Sequence, residues 1–436
     1  MSRFIRTILI VILLIAGVAN QHAEATQQTV RHLIIASAIN PVTATFISRQ
    51  ISIANQNSEP AILIQLDTPG GLDTSMREII QAELSSTIPV IIYVAPQGAR
   101  AASAGALITL AADFAVMAPG TNIGAAHPVA IGAGKQTDST MMKKVENDAA
   151  AYARSLAQKR GRNQDWAERS VRDSVSISAE EALDLTVIDL IADGTDHLLN
   201  QLHNYKYIRN GKTLTFTTQG IVLQQIEMDW REKILNTLSN PNIAYLLLML
   251  GIIGIFFEIS QPGVVLPGAI GTIAILLALF AFSSLPINYV GFLLIILAIV
   301  LFILEVKVVS YGMLAVGGII SMALGSIMLI DSSEPYLQIS RAVIAATVTV
   351  SAGFFLLATG MVVKTQRRPV ISGQEGMVGE IGEAIDPISD SGMVFVHGEY
   401  WQACSDQPIP VGAKIRIIKV MDGLKLQVET IEPKEV

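Results

Sequence analysis

The chain has 436 residues, 51% of them hydrophobic and only 15% charged, a balance too apolar for soluble domains alone, so part of it must lie in lipid. A formal charge of −7 gives no reason to expect nucleic acid as a partner. The single Cys404 excludes an intramolecular disulfide, and without a Cys/His cluster at metal-ligand spacing neither a metal nor a cofactor is expected.

At the N-terminus, Arg3 and Arg6 precede an apolar run over residues 8–18 and then small and polar residues ending Ala23-Glu24-Ala25. These are the three regions of a secretory signal, with cleavage after Ala25; an uncleaved anchor helix is the competing reading. Either one carries the next domain, residues 26–200, across the membrane. There, short apolar runs alternate with helical stretches. Ile62–Leu66 and Val90–Val94 are compact and β-branched, as strands buried on both faces should be. Residues 74–84 read as a crossover helix with Asp73 as its cap, and a second helix should start near Ala101. Repeated βα units predict an α/β domain with a mostly parallel sheet.

Residues 201–240 read as a linker, in which Asn210-Gly211 signals a hairpin. Residues 228–238, with Trp230, Arg231 and Lys233, suit a helix at the lipid headgroups or an ordinary linker helix. The membrane block, residues 241–364, divides into five predicted spans at about residues 242–259, 264–282, 287–304, 311–330 and 342–363. With the first domain outside, Lys307, Lys364, Arg367 and Arg368 fall on the cytoplasmic side and Asp331 and Glu334 outside; Arg341 opposes that topology. Glu258 and Glu305 near span ends raise the idea of a proton path. The last segment, residues 365–436, is then cytoplasmic. Its β-rich runs at 377–384, 393–396, 414–420 and 424–429 fit a small five-stranded barrel. From residue 369 onward it holds 11 acidic and 5 basic residues, against a nucleic-acid role. Tyr400 and Trp401 suit its core, or a contact patch.

Three stretches of the first domain carry residues that a simple core does not need. Asp67-Thr68-Pro69-Gly70-Gly71 directly follows the strand Ile62–Leu66. Consecutive glycines there let successive N–H groups point at one spot, as an oxyanion hole requires, although an ordinary Pro-Gly-Gly turn explains them too. Ala101-Ala102-Ser103-Ala104-Gly105 follows the strand Val90–Val94 and places Ser103 near the positive end of a helix among small residues, or is simply an Ala-rich helix start. Strand ends of a parallel sheet are where such sheets bind ligands. The third stretch runs from Met141 to Asp148 and opens a helix. At 100° per residue, Met141, Val145, Ala149, Tyr152 and Leu156 form one apolar stripe. Lys144 lies at its shoulder and Lys143 on the solvent side. Only Lys144 can be partly desolvated, and desolvation moves a lysine toward the neutral form that a general base needs.

These three stretches, with Met117 to Gly124, Asn147 to Gln158, the signal, the membrane block and the terminal barrel, resemble the long-form NfeD family, a class of membrane-bound, ClpP-class serine proteases. The resemblance covers nearly the whole chain. It implies a ClpP/crotonase-like first domain, a multi-span helical membrane domain, an OB-fold at the end, and a Ser–Lys dyad matching Ser103 and Lys144. It also implies a stomatin-like membrane protein as substrate or partner. The lipid bilayer and further copies of the same chain, as a homo-oligomer, complete the expected partners. Thr186 stands where a glycine is usual before the closing strand, which bears on the local turn and not on the active site.

The expected chemistry is endopeptidase cleavage of apolar, extended segments of membrane-associated proteins, with the protease domain periplasmic or otherwise extracytoplasmic. Ser103 attacks, Lys144 takes the proton, and the N–H groups of Gly71 and Ala104, beside Gly70, hold the oxyanion. His127, at nearly the spacing of the ClpP histidine, is the alternative base, with Asp189 a nominal third member. Two rivals come from other classes. One is a non-enzymatic membrane scaffold binding stomatin-like partners; the other is acyl-CoA chemistry, which export to a compartment without CoA disfavours.

Overall fold

The computed structural model describes residues 28–431 except 130–138, 210–211, 261–262, 264, 284, 309, 311, 331, 333–334, 367–373 and 422. The signal, the Asn210-Gly211 turn and the charges of Asp331, Glu334, Arg367 and Arg368 lie outside the described residues. The chain forms two compact units, Met1–Ala352 and Gly353–Val436.

The first unit begins with β1 (Gln28–Ile35), α1 (Pro41–Gln56), β2 (Ile62–Leu66), α2 (Asp73–Ser85) and β3 (Val90–Val94). It continues through β4 (Arg100–Ala102), α3 (Ala104–Ala111), β5 (Phe114–Met117), β6 (Asn122–Gly124), α4 (Ser139–Arg160) and α5 (Gln164–Arg172). Then come β7 (Ser176–Ser178), α6 (Ala179–Asp184), β8 (Leu190–Ile191), α7 (Thr195–Leu202), β9 (Tyr205–Arg209), β10 (Lys212–Phe216) and β11 (Ile221–Ile226). The main sheet has the order β11-β1-β2-β3-β5-β8 with every pair parallel. Buried on both faces, its central strands divide their side chains by pleat. Ile62, Ile64, Leu66, Val90, Ile92 and Val94 enter one core; Leu63, Ile91, Tyr93, Phe114 and Val116 enter the other. A second small sheet, β4-β6-β7, stands at the strand ends.

Asn40 starts α1 through a capping box with Thr43, and Pro41 sits in the first turn. Asp73 does not cap α2. Leu72 is the cap residue, and the Asp73 carboxylate, one position inside, turns to Arg77 at 2.9 Å. The linker forms the β9–β10 hairpin and α8 (Trp230–Leu238), whose N-cap Asp229 makes a capping box with Glu232. Two contacts tie α8 to the α/β domain: Arg49 to Glu232 at 2.8 Å and the Asn40 amide to Asn236 at 2.8 Å.

Five apolar helices follow: α9 (Pro241–Ser260), α10 (Val265–Phe282), α11 (Tyr289–Lys307), α12 (Met313–Met328) and α13 (Arg341–Gln366). By length and composition α9 and α10 can cross a membrane, and the other three carry shorter apolar runs. Small residues bring the pairs together: a Cβ on Gly254 would meet the Pro267 carbonyl at 2.5 Å, and one on Gly325 the Gly291 carbonyl at 2.8 Å. Glu305 has a structural task at the end of its span. Its carboxylate accepts from the N–H groups of Gly312 and Ala315 at 2.9 and 3.0 Å and from the Ser310 hydroxyl, and so caps α12.

The second unit contains a closed barrel, β12-β13-β14-β16-β15, built from β12 (Ile381–Ala384), β13 (Gly392–Val396), β14 (Glu399–Cys404), β15 (Lys414–Met421) and β16 (Lys425–Thr430). Trp401 packs on the barrel core, whereas Tyr400 is exposed against Phe395.

Two residues of the first domain carry a local cost. Thr186 holds φ at +58°, a left-handed position disfavoured for a β-branched side chain. We expect Thr186→Gly to stabilise the protein by about 1 kcal/mol, read as a rise in thermal midpoint. Glu83 in α2 is fully buried, and neither carboxylate oxygen has a hydrogen-bond partner among the described residues. Desolvation pushes its pKa well above 4.5, against the pull of Arg160. The folded state thus retains a proton that the unfolded chain releases. Its contribution is complete below pH 4.5 and is lost as pH rises through the raised folded value. The midpoint of Glu83→Gln should therefore gain on wild type as pH rises from 4.5 toward 8, a trend measurable by thermal melts.

Candidate active site

Ser103 occupies the turn between β4 and α3 with φ 51° and ψ −114°, a backbone region costly for any residue with a Cβ. Two main-chain bonds hold it there: its N–H donates to the Gly124 carbonyl at 2.9 Å, and its carbonyl accepts from Ala106 at 3.0 Å. Such a sharp strand-to-helix turn lifts a nucleophile clear of its own backbone. The helix behind it is buried along its whole length. Its far end is fixed by Arg162, which donates to the carbonyls of Thr109, Leu110 and Ala112 at 3.3, 2.7 and 2.9 Å.

The two glycines have different duties. Gly70, at φ +121°, gives its N–H to Thr68 Oγ1 at 3.2 Å, which removes it as an oxyanion donor. A Cβ on it would stand 2.8 Å from the Ser103 Cβ, so its bareness makes room for the serine. Gly71 lies in a parallel bridge to Ile39 made by the Gly70 carbonyl and the Leu72 N–H, each at 2.8–2.9 Å. The alternation of the ladder turns the Gly71 N–H away from Ile39, and Gly71 is one of the residues that line the cleft. Ala104 supplies the first N–H of α3, which has no acceptor within its own helix.

Around these groups is a cleft of about 490 Å³ whose lining includes Gly71, Ser103, Ala104, His127 and Lys144. Lys143 does not line it. The lysine at the shoulder of the apolar stripe is the one that lines the cleft, but helical phase did not give its solvation. Lys144 and its neighbour Val145 are exposed, because the residues described around them leave that end of the cleft open. His127 Nδ1 is 2.8 Å from the Val171 carbonyl, so this nitrogen carries the proton and donates it. Asp189 is elsewhere, held by Arg162 at 2.6 Å and the Ala115 N–H at 2.7 Å.

Three further lining residues carry no signal that the sequence reading used: Arg77, Asp148 and Tyr336. Arg77 pairs with Asp73 at 2.9 Å and Asp148 at 2.6 Å and lies over the Tyr152 ring at 4.5 Å. Partial burial works against its charge, but the two carboxylates outweigh it and hold its pKa above the usual value. Asp148 lies one turn beyond Lys144 on the same helix face, a spacing that could have flagged it. Tyr336 comes from the segment between α12 and α13. Among the described residues no group of His, Cys, Asp and Glu side chains could hold a metal.

Three family descriptions match successive parts of this chain: the NfeD1b N-terminal domain over residues 29–206, the NfeD integral membrane domain over 242–360, and the NfeD-like C-terminal, partner-binding domain over 374–429. The membrane-bound protease PH1510 of Pyrococcus horikoshii is 36% identical over 405 residues, 90% of this chain and 91% of its own. The membrane protein NfeD1b of Bacillus subtilis is 28% identical over 446 residues, 94% of each. Among solved structures, the 1510-N membrane protease specific for a stomatin homolog from Pyrococcus horikoshii is 34% identical. It covers 49% of this chain and 100% of its own, with a TM-score of 0.42.

The glycine geometry is testable. A Cβ on Gly71 would lie 2.0 Å from the Ile39 carbonyl oxygen, so Gly71→Ala must move the backbone and its N–H. We expect peptide cleavage to fall by about 10²-fold or more, as when an oxyanion donor is lost, while the circular dichroism spectrum keeps its native form.

Proposed function

This chain belongs to the NfeD family of membrane proteins, and from that premise we propose that it is a membrane-bound serine endopeptidase with Ser103 as nucleophile and Lys144 as general base. The observation that carries the proposal is one cleft lined by Ser103, Lys144, Gly71 and Ala104 and not by Lys143. Ser103 Oγ attacks the scissile carbonyl, and its proton passes to Lys144 Nζ. The Gly71 and Ala104 N–H groups, the second at the positive end of α3, take up the charge that develops on the carbonyl oxygen. Lys144 then returns the proton to the leaving amine, and water enters by the same route to release the acyl group. A peptide that fills the cleft excludes water from around Lys144, which is exposed in the free site.

His127 is less suited to the role. In a serine–histidine triad a carboxylate on Nδ1 stabilises the imidazolium as it forms; here Nδ1 donates to the uncharged Val171 carbonyl and Asp189 is engaged by Arg162.

The substrate is an extended apolar segment. Met76, Leu107, Ala126, Pro128 and Met141 make up much of the cleft wall, and a relative of known structure is specific for a stomatin homolog. A stomatin-like membrane protein is thus the substrate or partner, engaged also by the barrel, which matches a partner-binding description. The charges flanking the spans favour the protease domain outside the cell membrane and the barrel in the cytoplasm.

Ser103→Ala and Lys144→Ala should each lower cleavage of a synthetic apolar peptide by about 10³-fold or more, with Lys143→Ala near wild type. Full activity in Lys144→Ala together with loss in His127→Ala overturns the dyad.

A further inference from the structure

The wall of the Ser103 cleft is not made by the protease domain alone. Tyr336 lies between α12 and α13, within the stretch matched by the membrane-domain description, and lines that cleft. A methyl placed on Gly70 would be 3.3 Å from both Ser103 Oγ and the Tyr336 hydroxyl, so the phenol end stands beside the nucleophile's turn. The same side chain lines two more cavities. One, of about 390 Å³, runs over Ile39 and Leu72 to the start of α9; the other, of about 890 Å³, runs past Asp67, Pro69 and Arg100 to the start of α13. Tyr336 is thus the partition between the cleft and two openings that lead to the membrane helices.

Its placement is secured by the residues that follow it. Leu337 and Ile339 are buried. The Ser340 N–H donates to the Asn242 side chain at 2.8 Å, which fastens the segment to the start of α9. Helix α8, immediately before α9, is in turn fastened to α1 by the Asn40–Asn236 and Arg49–Glu232 contacts. A continuous set of named contacts therefore connects the Tyr336 segment to the protease domain.

We propose that Tyr336 is a specificity-determining residue of the protease: its ring packs against the substrate residues flanking the scissile bond and selects apolar segments that reach Ser103 from the membrane side. The inference rests on the serine protease reading above and adds a substrate-binding wall donated by the membrane domain. An aromatic ring suits the task, offering a large rigid apolar face with a polar tip. A peptide crossing Ser103 toward either opening must pass this face.

The test uses the full-length protein in detergent micelles, with a fluorogenic apolar peptide as substrate and a small serine-reactive phosphonate as a probe of Ser103. Tyr336→Ala should raise KM by about tenfold, with kcat changing far less, and should broaden the set of cleavage sites in a peptide mixture. Tyr336→Phe, which keeps the ring, should stay near wild type, and Asn242→Ala, which frees the segment, should shift KM in the same direction as Tyr336→Ala. Phosphonate labelling of Ser103 should proceed at the wild-type rate in all three. Unchanged KM and cleavage sites in Tyr336→Ala overturn the proposal, as does loss of phosphonate labelling in that variant, which would make Tyr336 a prop of the serine and not a reader of substrate. Failure of the wild type to label at Ser103 sinks instead the protease reading beneath it.

Discussion

The site depends on the backbone of one residue. Ser103 is held at positive φ between β4 and α3, and that conformation survives only because its surroundings over-determine it. Its N–H is spent on Gly124, its carbonyl on Ala106, and the space beside its Cβ is kept open by Gly70. In this conformation Ser103 and Ala104 both line the cleft, with the first N–H of α3 next to the serine.

The support extends well behind the site. Helix α3 cannot slide to relieve the turn, because its C-terminal carbonyls are gathered by Arg162 and Arg160. Arg160 is paired in turn with Asp113, and Arg162 with Asp189. These buried ionic contacts face the end of the helix opposite the serine. Asp189, which at sequence level could be considered as a triad member, belongs to this scaffold. A buried ion pair is a poor source of net stability but a good means of fixing position, since removing either partner leaves a charge uncompensated.

What the sequence made legible follows from the range of each signal. The strands Ile62–Leu66 and Val90–Val94 are apolar, β-branched runs bounded by turn residues, and they fold with those bounds. The five apolar helices fall close to the expected spans because lipid-facing composition is itself the signal. β14 was not anticipated, since Glu399 to Cys404 has no β-branched residue and no apolar run, although Trp401 and Ala403 turn toward the barrel core. Helical phase separated Lys144 from Lys143, because phase is a property of one helix. It could not reveal how open the cleft is around Lys144, which depends on other segments. Asp73 looked like a cap but found a partner one turn along in Arg77, a choice made by side-chain reach. Tyr336 was illegible for the plainest reason: its role arises from docking of a distant segment, and nothing local marks it.

Together these features describe a protease whose nucleophile belongs to an α/β domain and whose substrate cleft is completed by its membrane helices' connecting segment. The central claim is that Ser103 cleaves an apolar segment of a membrane-associated protein. The most direct measurement is mass-spectrometric mapping of the products formed from a stomatin-like membrane protein by the wild type and by Ser103→Ala. Discrete cuts within an apolar segment with the wild type, and none with the variant, are the predicted result. Identical products from both proteins would contradict it.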